Sequence, residues 1–354
     1  MGTLHPIPAS FMLNKYVTIT QLMKKTLVIA LAVFTALSSG FAFSCQRAST
    51  GPMESITVAY SPFESTALFW VALDQQYFSR NGLKVTLQKY DSGAASLTGV
   101  LNGEADILVG LTEFPAVRAA FQKAPMAILG IADRGEFIYL IGRKDRNIDG
   151  VSDLKGKRVG VAFGTIAQFY LGRLVELNGL NLQDLTLVDL KTPEEWVNAV
   201  VDGDVDAVVN AQPDADTAKE RLGDNAFFWP AQSGQFLNML IVSTDGWATD
   251  HPETVEKFLK SQLDAEDYLI RNPAAAKNIV QKSLNLDAAY MDTVWSQNQF
   301  SLSLDQSLII AMEDEARWLI ENNLTTEKSV PDFIDYIYTD ALRAVKPHAV
   351  NIIE

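Results

Sequence analysis

Short apolar strands alternate with amphipathic helices along this chain, and the same order of elements occurs twice. The first unit predicts a strand at 56–60, a helix at 66–80, a strand at 84–90, a helix at 94–101 and a strand at 105–110. The second predicts a strand at 158–163, a helix at 166–177, a strand at 185–190, a helix at 194–201 and a strand at 205–210. Two β-α-β-α-β units predict two similar α/β lobes, each a β-sheet flanked by helices.

The stop signals of the helices support the repeat. Asn81-Gly82-Leu83 ends the first helix of one unit, and Asn178-Gly179-Leu180 ends the first helix of the other. Glycine adopts the left-handed conformation of a helix C-cap without steric penalty. Matching terminators at matching places favour a duplicated unit over two unrelated α/β segments.

The remaining apolar segments predict how the lobes are connected. Strands are predicted at 127–132 and 137–141 before the second unit and at 237–243 after it, followed by helices at 251–271, 273–284, 287–295, 306–322 and 330–336. These last helices have no sheet of their own to cover, so we expect them to pack on the first lobe. This predicts lobe 1 at 55–142 plus 241–354, lobe 2 at 143–240, and a hinge of two crossings beside a cleft.

The N-terminal segment is typical of an export signal. Lys24 and Lys25 precede an apolar run at 26–37, and small residues follow it. The run is shorter than the roughly 20 apolar residues of a membrane-spanning helix. We therefore predict a signal peptide at 1–44 with its start at Met23, a linker at 45–54, and export of the mature chain.

Two modes of cleavage remain open for this signal. Cys45 stands where a bacterial lipoprotein carries its lipidated first residue, which would anchor the chain to the outer face of a membrane. Ala42 and Ser44 also satisfy the small-x-small rule of ordinary secretion into the periplasm. Lipidation of Cys45 and release as a free periplasmic protein are thus both compatible with the sequence.

Composition and charge exclude several classes of protein. The chain of 354 residues is 48% hydrophobic, which is enough for a large core. Its 29 Lys and Arg against 43 Asp and Glu give a net charge of −14 without a basic stretch, which argues against nucleic-acid binding. One cysteine and three widely separated histidines give no local support for a metal site. No Gly-x-Ser-x-Gly motif is present, and we predict no catalytic residues, no metal and no cofactor.

Several segments carry a family resemblance. They are Val-Ser-Asp-Leu-Lys-Gly-Lys-Arg-Val at 151–159, Phe-Gly-Thr at 163–165, Val-Asp-Ala-Val-Val-Asn-Ala-Gln-Pro at 205–213 and His-Pro-Glu-Thr-Val at 251–255. Over nearly all of residues 55–345 the chain resembles ABC-transporter substrate-binding proteins of the nitrate/sulfonate/taurine family, which includes relatives that bind pyrimidine precursors of thiamine.

The resemblance implies a fold, a function and partners. The implied fold is the two-lobed type II periplasmic-binding-protein fold, whose hinged cleft closes over a small-molecule solute. The implied partners are a membrane permease and its ATPase subunit. A secreted ligand sensor and an enzyme on the same fold are the alternative functions.

The chain departs from the family pattern at positions that set ligand specificity. Ala211 and Gln212 stand where an aromatic residue and an acid are usual, and Gln168 stands where many relatives have histidine. Recognition of nitrate, taurine or sulfonates therefore does not carry over directly from the resemblance.

The carboxyl ends of the predicted strands select candidate ligand-binding residues, because open α/β sheets bind ligands at that edge. Gly164 and Thr165 also precede a helix whose N-terminal N–H groups suit a carboxylate or oxyanion, although Thr165 is equally typical of a plain N-cap. The candidates are Ser61, Phe63, Glu64, Ser92, Gly93, Thr112, Glu113, Asp133, Gly164, Thr165, Gln168, Asn210 and Gln212.

The same loops indicate the character of the ligand. Loops 61–65, 91–94, 111–114, 163–168 and 210–213 contain acids but no Lys or Arg. A neutral or amine-bearing heteroaromatic ring such as a pyrimidine fits this set better than an inorganic anion, which usually meets arginine. Arg134 is the nearby cation that would oppose this interpretation. Four aromatic residues could stack on a ring, namely Phe63, Tyr90, Phe114 and Phe163.

Overall fold

The structure, a computed structural model, describes residues 53–353. The predicted signal peptide, the start at Met23 and the lipidation site Cys45 lie outside these described residues. Within the described range, no helix combines the length and apolar character needed to cross a membrane.

The first sheet has five strands and is mixed. Its strands are β1 (Glu54–Tyr60), β2 (Leu83–Lys89), β3 (Ile107–Thr112), β4 (Met126–Gly135) and β10 (Leu237–Thr244), in the order β2-β1-β3-β10-β4. β1 pairs in parallel with β2 and β3, whereas β10 is antiparallel to both β3 and β4. The strand that returns from the second lobe is thus the fourth in the sheet.

The second sheet repeats this arrangement. Its strands are β5 (Ile138–Arg143), β6 (Arg158–Val161), β7 (Thr186–Asp189), β8 (Ala207–Ala211) and β9 (Ala226–Pro230), in the order β7-β6-β8-β5-β9. β6 is parallel to β7 and β8, and β5 is antiparallel to β8 and β9. A small third sheet pairs β11 (Leu304–Asp305) with β12 (Val350–Asn351). The predicted two-lobed α/β fold is confirmed.

Helices cover these sheets. Those that precede the second crossing are α1 (Ala67–Asp74), α2 (Tyr77–Arg80), α3 (Gly93–Leu101), α4 (Glu113–Phe121), α5 (Ile166–Leu177), α6 (Pro193–Asp202) and α7 (Asp214–Leu222). The C-terminal helices are α8 (Asp245–Asp250), α9 (Pro252–Arg271), α10 (Pro273–Leu284), α11 (Ala288–Val294), α12 (Gln306–Glu321) and α13 (Asp340–Val345). Because α9 packs on α1 and α12 packs on α4, the C-terminal helices lie with the first sheet.

Several elements differ from the sequence prediction. The helix expected at 66–80 is two helices, α1 and α2, separated at Gln76, whose φ of 59° is left-handed. Helices α4 and α7 and strand β9 were not predicted. Both helices carry a proline in their first turn or just before it, Pro115 in α4 and Pro213 before α7, and proline in that position starts a helix as readily as it marks a loop.

The chain passes between the sheets at 136–137 and again at 231–236, because β4 ends at Gly135, β5 begins at Ile138, β9 ends at Pro230 and β10 begins at Leu237. The crossings expected near residues 142 and 240 are therefore misplaced. Strand β5, expected in lobe 1, pairs with β8 and β9 in the second sheet. We propose lobe boundaries at these two crossings.

One buried side chain ties the two crossings together. Gln232 is 2% exposed. Its Oε1 accepts hydrogen bonds from the backbone N–H groups of Phe137 (2.7 Å) and Ile138 (3.0 Å) in the first crossing. Its Nε2 donates to the backbone oxygens of Gly135 (3.0 Å) and Gln235 (2.8 Å). The amide of Gln232 is thus the polar link between the two crossings.

The larger hydrophobic core is continuous from the first sheet into the second lobe. It contains Val58 and Leu108 of the first sheet together with Phe169 and Leu174 of α5, all buried. A smaller cluster lies between the second sheet and helices α6 and α7. Since burial of one such side chain contributes about 1.5–3 kcal/mol, α5 is held firmly against the first lobe.

Candidate ligand-binding cleft

A cavity of about 420 Å³ opens between the two sheets, at the end where the parallel strands finish. Its size is within the range of small-molecule sites, about 300–1,000 Å³. Residues of both lobes line it. Eight of the thirteen candidate residues are brought together there: Phe63, Glu64, Ser92, Gly93, Thr112, Gly164, Thr165 and Gln212.

Two helix N-termini, one from each lobe, face this cavity. In α3 the N-cap Ser92 accepts a hydrogen bond from the N–H of Ala95 through its Oγ (3.2 Å). In α5 the hydroxyl of Thr165 donates instead to the carbonyl of Ala162 (2.8 Å) and makes no cap bond to its own helix. The first N–H groups of both helices, with the positive ends of their dipoles, thus face the space where a ligand would lie.

The loop before α5 is fixed from both sides. The N–H of Gly164 donates to Oε1 of Gln168 (2.7 Å), and its carbonyl accepts from Nη1 of Arg118 in the first lobe (2.9 Å). Gly164 has a φ of +71°, which an L side chain rarely adopts. Gln168 does not line the cavity, so it acts on the site by positioning this loop.

Two acids, Glu64 and Asp133, form what we call the acidic end of the cleft. Glu64 lines the cavity and is 6% exposed, and its Oε2 accepts a hydrogen bond from the hydroxyl of Tyr290 (2.7 Å). Asp133 pairs in register with Met239, which in turn pairs with Thr112. Since Thr112 and Met239 both line the cavity and directly paired residues share a face, Asp133 lies on the same face of the sheet, buried near Glu64 and not itself in the cavity wall.

Asp133 is fully buried, and the backbone N–H groups of Arg134 and Gln299 lie near its carboxylate. Burial, and next the nearby charge of Glu64, raise the pKa of Asp133 well above its usual range. Burial also raises the pKa of Glu64, against which the hydrogen bond from Tyr290 acts. This end of the site therefore contains acceptors that a donor-bearing ligand would satisfy.

Some lining residues were not among the sequence candidates. Ser65 is 2% exposed, lines the cavity, and its Oγ has no partner in the described part of the chain. It is adjacent to two candidates in one loop, so its position could have been found. Tyr290 comes from α11, 226 residues beyond Glu64, and no local pattern links the two. The other missed lining residues are mainly apolar, such as Phe137, Ile138, Ile166, Leu237 and Met239.

Three further candidates, Ser61, Glu113 and Asn210, do not line the cavity. Ser61 is buried beside Ser96, with their Oγ atoms 3.3 Å apart. Glu113 accepts hydrogen bonds from the backbone N–H and side chain of Asn238 (3.0 and 3.1 Å), so it belongs to the interior. Asn210 binds its own loop, since its Oδ1 accepts from the N–H of Ala211 (2.8 Å).

Arg134 does not supply a cation to the cleft. Its Nε donates to Oδ1 of Asn238 (2.9 Å), and its Nη2 forms an ion pair with Asp305 (2.5 Å). Among the described residues that line the cavity there is no Lys or Arg.

The expected aromatic sandwich is only partly present. Phe63 lines the cavity and is 45% exposed, but Phe114 is buried in the core, and Tyr90 donates its hydroxyl to Glu104 away from the cleft. Phe163 is exposed and is not part of the cavity wall. Phe137 and Tyr290 supply the other aromatic rings of the cavity wall.

The cavity wall thus combines the N-termini of two helices with the carboxyl group of Glu64. In residues 53–353, no group of three or more His, Cys, Asp or Glu side chains is placed to hold a metal ion.

A family model described as NMT1/THI5 like matches residues 64–276, more than half of the chain. The chain belongs to this family. Among the relatives of this NMT1/THI5-like chain is the taurine-binding periplasmic protein of Escherichia coli (strain K12). It is 29% identical over 228 residues, which cover 62% of this chain and 67% of the relative. The family predicted from the sequence is confirmed.

This NMT1/THI5-like protein is also similar to a solved structure and to a fungal relative. The crystal structure of the periplasmic aliphatic sulphonate binding protein SsuA from Escherichia coli superposes with a TM-score of 0.70 at 16% identity, over 82% of this chain and 99% of that one. The likeness shows a shared fold, that of periplasmic binding proteins. The 4-amino-5-hydroxymethyl-2-methylpyrimidine phosphate synthase of Aspergillus parasiticus is 24% identical over 59% of this chain and 64% of the relative.

Proposed function

We propose that this protein is the extracytoplasmic solute-binding component of an ABC importer. Its hinged lobes close on a small organic solute and deliver it to a membrane permease, whose ATPase subunit supplies the energy. Family membership and the taurine-binding relative support the class of function. The observation that carries the assignment is the cavity between the two lobes, lined from both sides and adjacent to a two-crossing hinge.

We further propose that the solute carries an amine or ring N–H donors. Glu64 in the cavity wall and the buried Asp133 near it offer acceptors. The helix N-termini at Gly93 and Thr165 offer donors, so a carbonyl, ring nitrogen or anionic group of the same solute would be held there. Phe63 and Phe137 would cover its apolar body. An amine-bearing pyrimidine and an amino-sulfonate both fit this description.

Matched ligand pairs test this recognition. In thermal unfolding of the purified protein, taurine should raise the midpoint more than ethanesulfonate, which lacks only the amine, and 4-aminopyrimidine should raise it more than pyrimidine. A solute at 100 times its dissociation constant stabilises by about 2.7 kcal/mol, a shift of several degrees. Equal shifts within each pair, or a shift with nitrate alone, would show that the acidic end does not recognise an amine.

Variants of the acidic end give the second test. Asp133→Asn and Glu64→Gln should each weaken binding of the amine-bearing member by about 10- to 100-fold, because a charged hydrogen bond contributes about 1.5–3 kcal/mol. Binding of the member without an amine should change little. Glu104→Gln is the matched control, since Glu104 is an exposed acid of the same lobe outside the cavity. Calorimetric titration measures all three.

An enzyme on the same fold is the second candidate function, because one relative is named a synthase. A bound compound recovered chemically changed after incubation with the protein would favour the enzyme. Recovery of the unchanged compound together with saturable binding would favour the solute-binding role.

A further inference from the structure

Behind the cleft, helix α5 of the second lobe packs directly on α4 and α12 of the first. The ring of Phe169 lies 6.2 Å from that of Phe114 and 5.5 Å, edge to face, from that of Trp318. A Cβ at Gly172 would approach the Trp318 indole to 2.6 Å, so α5 and α12 meet at close range. A rotation of one lobe on the other must change this contact.

Polar groups are buried inside this apolar contact. Glu113 of α4, Glu315 of α12 and Tyr170 of α5 each have no exposed surface. Among the described residues, neither carboxylate oxygen of Glu315 nor Nε1 of Trp318 has a hydrogen-bond partner, whereas the Tyr170 hydroxyl lies beside the side-chain amide of Gln232. An ionised carboxylate without a partner in such surroundings costs several kcal/mol, so the carboxyl group of Glu315 favours its protonated form.

The two carboxyl groups also disfavour each other's ionisation. Burial raises the pKa of Glu113 to about 7, although hydrogen bonds from Asn238 oppose the shift. Burial, and next the charge of Glu113, raise the pKa of Glu315 well above its usual range. Burial raises the pKa of Tyr170, and both carboxyl groups add to that shift, which places the three side chains in one electrostatic cluster.

The charged groups around the cluster do not neutralise it. Arg134 faces Glu113 but is paired with Asp305. Arg173 on α5 is paired with Glu176 and, across the lobe contact, with Asp314 (3.4 Å). The charge of Asp314 further raises the pKa of Glu315, and the charge of Glu136 further raises the pKa of Tyr170.

We propose that Glu113, Glu315 and Tyr170 are positioning residues that hold a proton in the contact between the lobes. The packed arrangement of α5 on α4 and α12 requires at least one protonated carboxyl, and a rotation that admits water allows ionisation and proton release. Because the N-terminus of α5 lines the cleft, the proton also fixes where Gly164 and Thr165 stand. This proton site requires no ligand and does not depend on the identity of the proposed solute.

The sign of the effect follows from linkage. The packed state binds more protons than the separated state, so acid favours packing, and packing weakens as the pH rises through the raised pKa values. For one proton released, the ratio of separated to packed molecules rises by up to about tenfold per pH unit in that range. The ratio of separated to packed molecules does not change with pH where both states are fully protonated.

Distance measurements between spin labels on the two lobes test this. Labels are attached at Leu177→Cys on α5 and Ile270→Cys on α9, both strongly exposed positions, with Cys45, the single cysteine, replaced by serine. Between pH 5 and pH 9 the wild-type background should gain a second distance population. Glu315→Gln, which imitates the protonated acid, should keep the low-pH distribution at every pH.

Glu313→Gln is the matched control, since this carboxylate lies on the same helix but faces Arg317 at the surface, and it should behave as wild type. Glu113→Gln provides a second variant of the cluster, expected to reduce the pH response. Chemical unfolding of the unlabelled protein adds an independent readout: stability should fall from pH 5 to pH 8 less steeply in Glu315→Gln than in wild type. A wild-type distance distribution that is the same at all pH values, or a full pH response retained in Glu315→Gln, would overturn the inference.

Discussion

Replacing Lys346 by methionine is expected to lower the free energy of unfolding by about 3–5 kcal/mol, because it leaves a buried charge without its partner. Lys346 Nζ lies 2.6 and 2.8 Å from the two carboxylate oxygens of Glu266 and also donates to the carbonyl of Leu302 (3.0 Å). The two side chains are 10% and 9% exposed. This ion pair joins α9 to the segment that follows α13, and so secures the C-terminal end of the chain on the first lobe.

Chemical unfolding measures the loss, with Lys277→Met as the matched control. Lys277 pairs with Asp292 at 2.6 Å, but Asp292 is 79% exposed, so its loss should cost less than about 1 kcal/mol. Adding Glu266→Gln to Lys346→Met should recover part of the stability, since the uncompensated charge is removed. If both lysine variants lose the same small amount, the buried pair contributes no more than a surface one.

The repeated unit was predictable because its signals are local. Helix α5 begins and ends where the pattern placed it, since its apolar period is closed by Asn178-Gly179. Helix α10 likewise begins at Pro273, a residue that starts helices and rarely continues them. The matching strand orders of the two sheets follow from the matching order of elements.

The hinge was misplaced because it depends on long-range pairing. Strands β4 and β5 are consecutive and both apolar, which favours one sheet, yet β5 finds its partners in β8 and β9. Only the pairing of backbone groups far apart in sequence decides which sheet takes β5. Interlobe boundaries are therefore less readable from one sequence than the elements within each lobe.

The sequence predicted which loops line the cleft but not which of their side chains contact the cavity. The rule that ligands lie at the carboxyl ends of strands selected the loops that line the cavity. It could not tell Thr112, which faces the cavity, from its neighbour Glu113, which faces the interior, because α4 begins between them. Tyr290 required the packing of α11 beside the 61–65 loop, which no local pattern shows.

Replacing Gln232 by alanine is expected to lower the free energy of unfolding by about 2–4 kcal/mol, because unsatisfied buried polar groups cost about 1–3 kcal/mol each and water entering the space left behind recovers part. The change strands the N–H groups of Phe137 and Ile138 and the carbonyls of Gly135 and Gln235. Gln122→Ala, at an exposed position, is the control and should be nearly neutral.

Gln232→Glu separates the two halves of this network. It keeps an oxygen that can accept from Phe137 and Ile138 but loses the amide donor to Gly135 and Gln235. The stability lost in Gln232→Glu should therefore measure the contribution of the two donated hydrogen bonds. The same interlobe spin labels should show a broader distance distribution in Gln232→Ala than in wild type, because the two crossings are no longer tied to each other. An unchanged distribution together with lost stability would mean that Gln232 supports the fold without restraining the hinge, and that the rigidity between the lobes comes from the contact of α5 with α12 instead.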